Sequence, residues 1–395
     1  MVRESKLMNT YQRAPLSFVQ GKGSYLIDEK GQSYLDFTSG IATCNLGHVP
    51  DSVKAAVQQQ LNQLWHCTNL FQIPAQEELA HLLTKVSGLD QVFFCNSGAE
   101  ANEGAIKLAR RYAQIVKQNG KYEVVSFTQS FHGRTLATLT ATGQGKIQEG
   151  FSPLPQGFRT LPYNDLAALD ELVSTHTCGV LLELVQGEGG VRVADPTWVK
   201  KLVSLCRQHE LLLIIDEVQT GMGRTGTFYA YEQYGLKPDI VTAAKGLGSG
   251  FPIGAILATT EAAKGFEPGS HGSTFGGNPL ATTAGIATLK ALEAHQVLTN
   301  AKAQSQYLWK QLQELRARFP LITDLRGRGL LIGLEIQGDA TQIVELARLE
   351  RVLILTAGPG VLRILPPLTT KCPEVDHLIN ALEKSLQKLA REEPH

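Results

Sequence analysis

Between residues 76 and 300 short apolar runs alternate with amphipathic helical stretches, and no other feature limits the fold of this chain so strongly. Strands are expected at Val92 to Phe94, Glu123 to Phe127, Val180 to Leu184, Leu211 to Ile215, Ile240 to Ala243 and Ile253 to Leu257. Helices such as Glu100 to Val116 and Trp198 to His209 lie between them. A strand covered by helices on both faces meets water on neither, so it reads as a continuous apolar run. The pattern predicts an α/β fold, with a mostly parallel sheet enclosed by helices.

The flanks read differently. Tyr25 and Ile27 alternate before the turn Asp28-Glu29-Lys30-Gly31, and Tyr34, Leu35 and Phe37 follow it, which is a hairpin pattern. Beyond residue 300, strands are expected at Leu330 to Ile336 and Val361 to Leu365. A closing helix repeats Val375, Leu378, Ile379, Leu382, Leu386 and Leu389 at helical spacing. The expected division is 1–75 as an N-terminal segment, 76–300 as the large domain and 301–395 as the C-terminal part.

Composition removes several classes of function. Lys plus Arg and Asp plus Glu each number 37 in 395 residues, so the formal net charge of zero gives no general attraction to nucleic acid or an anionic membrane. The longest aliphatic run, Leu211 to Ile215, is far short of the roughly 20 residues that a spanning helix needs. Met1 to Thr10 carries Arg3, Glu4 and Lys6 with no apolar stretch behind them, unlike a secretion signal. Six cysteines without a C-x-x-C pair suggest neither a zinc ribbon nor a disulfide framework, and reduced thiols fit a cytoplasmic location.

In open α/β sheets, ligands gather beyond the carboxyl ends of the strands, so the polar residues that follow each apolar run are the candidates. Ser97-Gly98-Ala99-Glu100 opens a helix after the first strand, and its N–H groups could face an anion. The same residues also read as an ordinary capping box. Asp216 emerges from the most apolar strand and needs a cationic or hydrogen-bonding partner. Lys245 stands between small residues, Ala243-Ala244 and Gly246, at the end of the next strand. Burial there would lower its proton affinity and make it nucleophilic, although a surface lysine is the plainer alternative. Gly269-Ser270-His271-Gly272-Ser273-Thr274-Phe275-Gly276-Gly277-Asn278 could hold a further side of the same anion or be a surface loop, and His271 reads as structural.

One competing motif is literal. Gly221-Met222-Gly223-Arg224-Thr225-Gly226 matches G-x-G-x-x-G, with Asp239 a plausible distance beyond. However, residues 216 to 220 separate it from its strand, whereas a dinucleotide loop follows its strand directly. The signatures of P-loop nucleotide hydrolysis, the serine-hydrolase elbow and zincin metalloproteases do not occur.

A lysine able to condense with an aldehyde, an acid able to hold a ring nitrogen protonated, and two phosphate-compatible loops together describe a pyridoxal phosphate site. On these residues the chain resembles the class III aminotransferases of the fold type I pyridoxal phosphate enzymes, most densely from Asn96 to Asn278. The resemblance implies a large domain plus a smaller α+β domain built from both chain ends, and a homodimer with shared sites. It makes Lys245 the cofactor-linked lysine and Asp216 the partner of the ring nitrogen. Val218 and Phe131 would cover the two ring faces, and Gln219 would lie near the ring hydroxyl. Glu217 falls in the same cofactor-binding run. Ser97, Gly98 and Ala99 would bind phosphate, with Ser273 and Thr274 reaching the neighbouring subunit's site.

For the substrates, the resemblance has Arg134 bind one carboxylate and Arg363 the α-carboxylate of glutamate or 2-oxoglutarate, with Glu188 masking Arg363 for the other substrate. Ile41 stands where ornithine-specific members carry Tyr, which favours an acetylornithine or 4-aminobutyrate type of amino donor, with succinyldiaminopimelate as a further candidate. The run Glu183-Leu184-Val185-Gln186-Gly187-Glu188 lacks the family's usual Pro after the first Glu but keeps both carboxylates.

Overall fold

The computed structural model describes residues 6–294 and 296–392. Its centre is the strand Leu212–Asp216, every residue of which is buried. Successive side chains of a strand point to opposite faces, and here each face meets its own helical layer. Leu213 and Ile215 join a core with Trp198, Val199, Leu202 and Cys206 of the helix Pro196–Gln208. Leu212 and Ile214 join another with Ala101, Ala105, Leu108 and Ala109 of the helix Gly98–Arg111. This two-sided burial is why the run lacks polar alternation.

Seven strands form this sheet, in the spatial order Gln91–Cys95, Gly254–Ala258, Ile240–Ala243, Leu212–Asp216, Thr177–Leu182, Glu123–Phe127 and Phe158–Leu161. Gly254–Ala258 runs antiparallel to both of its neighbours, and the remaining pairs are parallel. The expected strands are all present; Glu123–Phe127 and Ile240–Ala243 match at both ends, and the ends of the others are displaced by at most three residues. The early end of the strand expected to reach Leu184 has a physical reason: Glu183 leaves the ladder after Leu182 and turns its carboxylate to the N–H of Phe131. The helix expected through Val116 is α-helical only to Arg111 and continues as a π-helical turn, Tyr112–Val116.

A second core joins the two chain ends. Leu35 and Phe37 pack with Leu308, Leu312, Ile332, Leu334, Ile364, Leu378 and Leu382. Val352–Leu353 adds a parallel strand beside Ser33–Asp36, so residues more than 300 positions apart share one small sheet. The expected hairpin is present as Tyr25–Asp28 and Ser33–Asp36, extended by an outer strand, Phe18–Lys22. Ile322–Arg328, Leu331–Ile336, Val361–Ile364 and Leu355–Thr356 make a further antiparallel sheet, whose first strand has no clear signal in the sequence. The helix Cys372–Glu392 closes this end against Val297–Arg318 and Ala340–Leu349. Among the described residues no helix is long and apolar enough to cross a membrane.

Candidate active site

Asp216 is the last residue of its strand and stands opposite Thr242 in the neighbouring one. Lys245 lies three residues beyond Thr242, so the acid and the amine meet at the same carboxyl edge. Both line a cavity of about 380 Å3, together with Thr43, Asn96, Ser97, Gly98, Ala99, Asn102, Phe131, His132, Arg134, Glu183, Val218 and Gln219.

Asp216 is 3% exposed, and its carboxylate is held from three sides. Oδ2 accepts from Asn102 Nδ2 and His132 Nδ1, each at 2.7 Å, and Oδ1 accepts from the Val218 N–H at 3.0 Å. Asn102 is fixed in turn, donating to the His132 carbonyl at 2.8 Å and accepting from Thr242 Oγ1 at 2.7 Å. An ionised carboxylate only accepts, so His132 carries its proton on Nδ1, and its buried Nε2 is left without a partner. Oδ1 retains capacity for one more donor on the cavity side.

Lys245 sits at φ 42°, a left-handed conformation that costs a non-glycine residue of order 1 kcal/mol or more. Among the described residues its ammonium has no hydrogen-bond partner. Burial holds the amine below the usual lysine range, against the nearby acids Glu188, Asp216 and Glu183. The result is a lysine poised towards its neutral, nucleophilic form.

The opposite part of the cavity suits an anion. Ser97 caps the helix Gly98–Arg111, its Oγ accepting from the Glu100 N–H at 3.2 Å. Glu100 does not complete the reciprocal box, since its carboxylate takes the N–H of Asn96 at 2.5 Å instead. The N–H groups of Gly98 and Ala99 have no acceptor among the described residues and stand at the positive end of the helix dipole. Gly98 must be glycine, because a Cβ there would lie 2.6 Å from Val218 Cγ1.

Beside Lys245 lies a cation paired with a carboxylate. Arg363 projects from the strand Val361–Ile364 and is 2% exposed. Its Nη1 donates to the Gly187 carbonyl at 2.9 Å and to Glu188 Oε1 at 2.5 Å, while its buried Nε has no partner. Burial raises the Glu188 carboxyl, but Arg363, with help from Lys245 and Gln219, outweighs it and holds the group below the usual range. Gln219 bridges this pair to the cavity, donating to Glu188 Oε1 at 3.3 Å. Glu183 differs: burial, and then the charge of Asp216, push its carboxyl well above the ordinary range, which favours the protonated acid.

Some residues expected at the site stand elsewhere. Glu217 points away from the cavity, accepting from Thr220 Oγ1 at 2.5 Å and from the Tyr231 N–H at 2.9 Å, and it anchors the turn after its strand. Ser273 and Thr274, expected to serve the neighbouring subunit's site, both line surface hollows outside this cavity, and Ser273 Oγ accepts from the Gly276 N–H at 2.9 Å. Ile41 is 42% exposed in a run of left-handed residues, Ser39 to Ala42, outside the cavity wall. Arg134 lies on the wall with its guanidinium 5.5 Å from the Phe131 ring centre. His271 is tied to Lys107 at 2.8 Å, and no metal-holding cluster occurs among the described residues. Sequence reasoning missed Asn102 and His132, which hold Asp216, and named Glu183 without placing it at the cavity. A polar Asn one helical turn after Gly98, on a face otherwise of Ala, Ile and Leu, was the signal for the first.

A ring carrying a phosphate, a basic nitrogen and an aldehyde matches these groups in kind: two free N–H donors, an acid with a spare acceptor position and an unpaired amine. The comparisons agree. The aminotransferase class-III family matches residues 7–386. An acetylornithine aminotransferase of Oceanobacillus iheyensis is 54% identical over 380 residues, covering 96% of this chain and 95% of that one. One of Thermosynechococcus vestitus is 48% identical, with 97% and 96% covered. Among solved structures, the ornithine aminotransferase of Toxoplasma gondii superposes with a TM-score of 0.94 at 31% identity, covering 98% of this chain and 94% of that one. The N-acetylornithine aminotransferase of Stenotrophomonas maltophilia gives 0.84 at 35%, with 96% and 98% covered. This chain belongs to the class III aminotransferases and is a pyridoxal phosphate-dependent transaminase.

Proposed function

We propose that the enzyme transfers the terminal amino group of N-acetylornithine to 2-oxoglutarate, giving an acetylated semialdehyde and glutamate, in the cytoplasm and as a step of arginine synthesis. The relatives named for this activity, at 46–54% identity over nearly the whole chain, support the choice of donor. The observation that carries the two-substrate reading is Arg363, whose Nη1 is neutralised by Glu188 while its Nε is left free.

Pyridoxal phosphate, when bound, supplies an aldehyde that takes up amino groups and a protonated ring that withdraws electrons from the neighbouring carbon. Gly98 and Ala99 would hold its phosphate, assisted by Ser97. Val218 and Phe131 would enclose the ring, and Gln219 would lie beside its hydroxyl. Asp216, fixed by Asn102, His132 and Val218, would keep a proton on the ring nitrogen, because a preorganised anion needs no rearrangement as charge develops. Lys245 Nζ, whose hold on its proton burial weakens, would take the proton from the substrate carbon bearing nitrogen and later return one.

Arg363 would bind the α-carboxylate of 2-oxoglutarate in a fork, with Glu188 releasing it for that substrate and covering it for the monocarboxylate donor. Arg134 would hold the donor's carboxylate. We further propose a homodimer in which Ser273 and Thr274 serve the partner's site. The exposed Leu61, Leu64, Trp65, Leu70, Phe71 and Phe275 support that reading, since single chains rarely leave so many large apolar residues uncovered in one region. The test of substrate is kcat/KM for N-acetylornithine, ornithine, 4-aminobutyrate and succinyldiaminopimelate with 2-oxoglutarate. N-Acetylornithine should lead, and a clear preference for 4-aminobutyrate would overturn the assignment.

A further inference from the structure

The glycine-rich turn Gly221 to Gly226 carries a buried cation that takes no part in the chemistry described above. Arg224 is 0% exposed, and among the described residues no carboxylate pairs with it. Its Nη1 donates to the carbonyls of Leu330 at 3.2 Å and Pro366 at 2.5 Å, and its Nη2 donates to Asn45 Oδ1 at 2.7 Å. Its own carbonyl accepts from the Leu330 N–H at 3.0 Å, and its Nε has no partner. Burying a guanidinium without a counter-charge is unfavourable, so its retention calls for a role that a smaller or apolar residue does not fill. A planar fork can reach several divergent acceptors at once, which an ammonium or a methyl cannot.

The three acceptors lie at informative places. Asn45 also donates to the Met222 carbonyl at 2.9 Å, and its amide packs so closely on Gly246 that a Cβ there would approach Nδ2 to 2.3 Å. Gly246 is the residue after Lys245. Pro366 stands three residues beyond Arg363, and Leu330 leads into Leu331–Ile336, which pairs with the strand of Arg363. Gly329 seals the same junction, since a Cβ there would come within 2.4 Å of the Thr225 carbonyl carbon. One guanidinium therefore clamps the support of the Lys245 turn to the sheet that presents Arg363.

The geometry points to Arg224 as a positioning residue that sets the placement of Arg363 relative to Lys245, and through it the affinity for the oxo-acid acceptor. This rests on Arg363 being the carboxylate-binding cation. The test compares Arg224→Lys, Arg363→Lys and the double variant as pyridoxal phosphate-loaded enzymes. Arg224→Lys should keep the visible absorption of bound cofactor and a single-turnover rate with N-acetylornithine within about threefold of the parent, while KM for 2-oxoglutarate rises about tenfold. In the Arg363→Lys background the same change should add little, because both act on one interaction. Asn45→Ala, which removes one acceptor and leaves the cation, should raise the same KM alone and keeps the test open should Arg224→Lys not fold.

An unchanged KM in Arg224→Lys and Asn45→Ala, beside a raised KM in Arg363→Lys, would overturn the positioning role alone. Loss of cofactor absorbance together with kcat and both KM values would reduce Arg224 to a merely structural residue and also overturn it. An unchanged KM in Arg363→Lys would instead reject the carboxylate assignment, and the proposal with it.

Discussion

Two carboxylates beside Lys245 are held in opposite ways. Asp216, on the cavity floor, accepts three hydrogen bonds from groups anchored to the sheet edge and the helix Gly98–Arg111, and two of these partners are themselves fixed by further hydrogen bonds. Glu188, at the rim, meets a single Arg363 Nη1 and a long contact from Gln219, and its side chain remains 27% exposed. The floor has one arrangement available to it. The rim has a bond that, on the proposed function, a substrate carboxylate would replace. On the proposed function that contrast would serve a transaminase admitting two different substrates to one site, since the electrostatics of the reacting ring would stay constant while recognition changes.

Breaking the floor should have the larger effect. Asp216→Asn removes the charge yet can keep most of the hydrogen bonds, so cofactor should remain bound while kcat falls by about 10²–10³-fold. Half-reaction rates at the parent level would remove Asp216 from the account. At the rim, Arg363→Lys replaces a fork by a point charge, and KM for 2-oxoglutarate should rise by about tenfold or more with a smaller change in the donor half-reaction, measured by stopped-flow absorbance. Glu188→Gln sharpens the comparison further. It should leave cofactor absorbance intact, lower KM for 2-oxoglutarate by a few-fold and raise that for the donor, because Arg363 is no longer neutralised.

A smaller effect concerns stability. Burial raises Glu217 from 4.5 to about 7, so the native state binds a proton that the unfolded chain has already released. Native stability from this group is full below about 4.5 and is lost as pH rises through about 7, a change of a few kcal/mol at most. Glu217→Gln should flatten the decline of Tm across that window. A slope equal to the parent's would show that Glu217 does not titrate there.

Much of the floor was legible in the sequence and much of the rim was not, for a physical reason. Asp216, Lys245 and Gly98 each follow directly from a short apolar run, so the strand pattern alone places them at one sheet edge. Asn102 and His132 reach Asp216 from a helix and a loop, and only the packing of that helix across the sheet brings them there. Arg363 reads locally as an ordinary strand residue. Its meeting with Glu188 depends on a sheet from the far end of the chain docking on the large one, which no local pattern encodes. Glu217 shows the opposite error: adjacency to Asp216 suggested a shared role, but neighbouring residues leaving a strand point apart.

The most direct measurement is to load the protein with pyridoxal phosphate, reduce it with borohydride and map the modified peptide by mass spectrometry. The account requires the label on Lys245 and its absence in Lys245→Ala, with turnover lost by orders of magnitude in that variant. A label on a different lysine, or full turnover without Lys245, would contradict it.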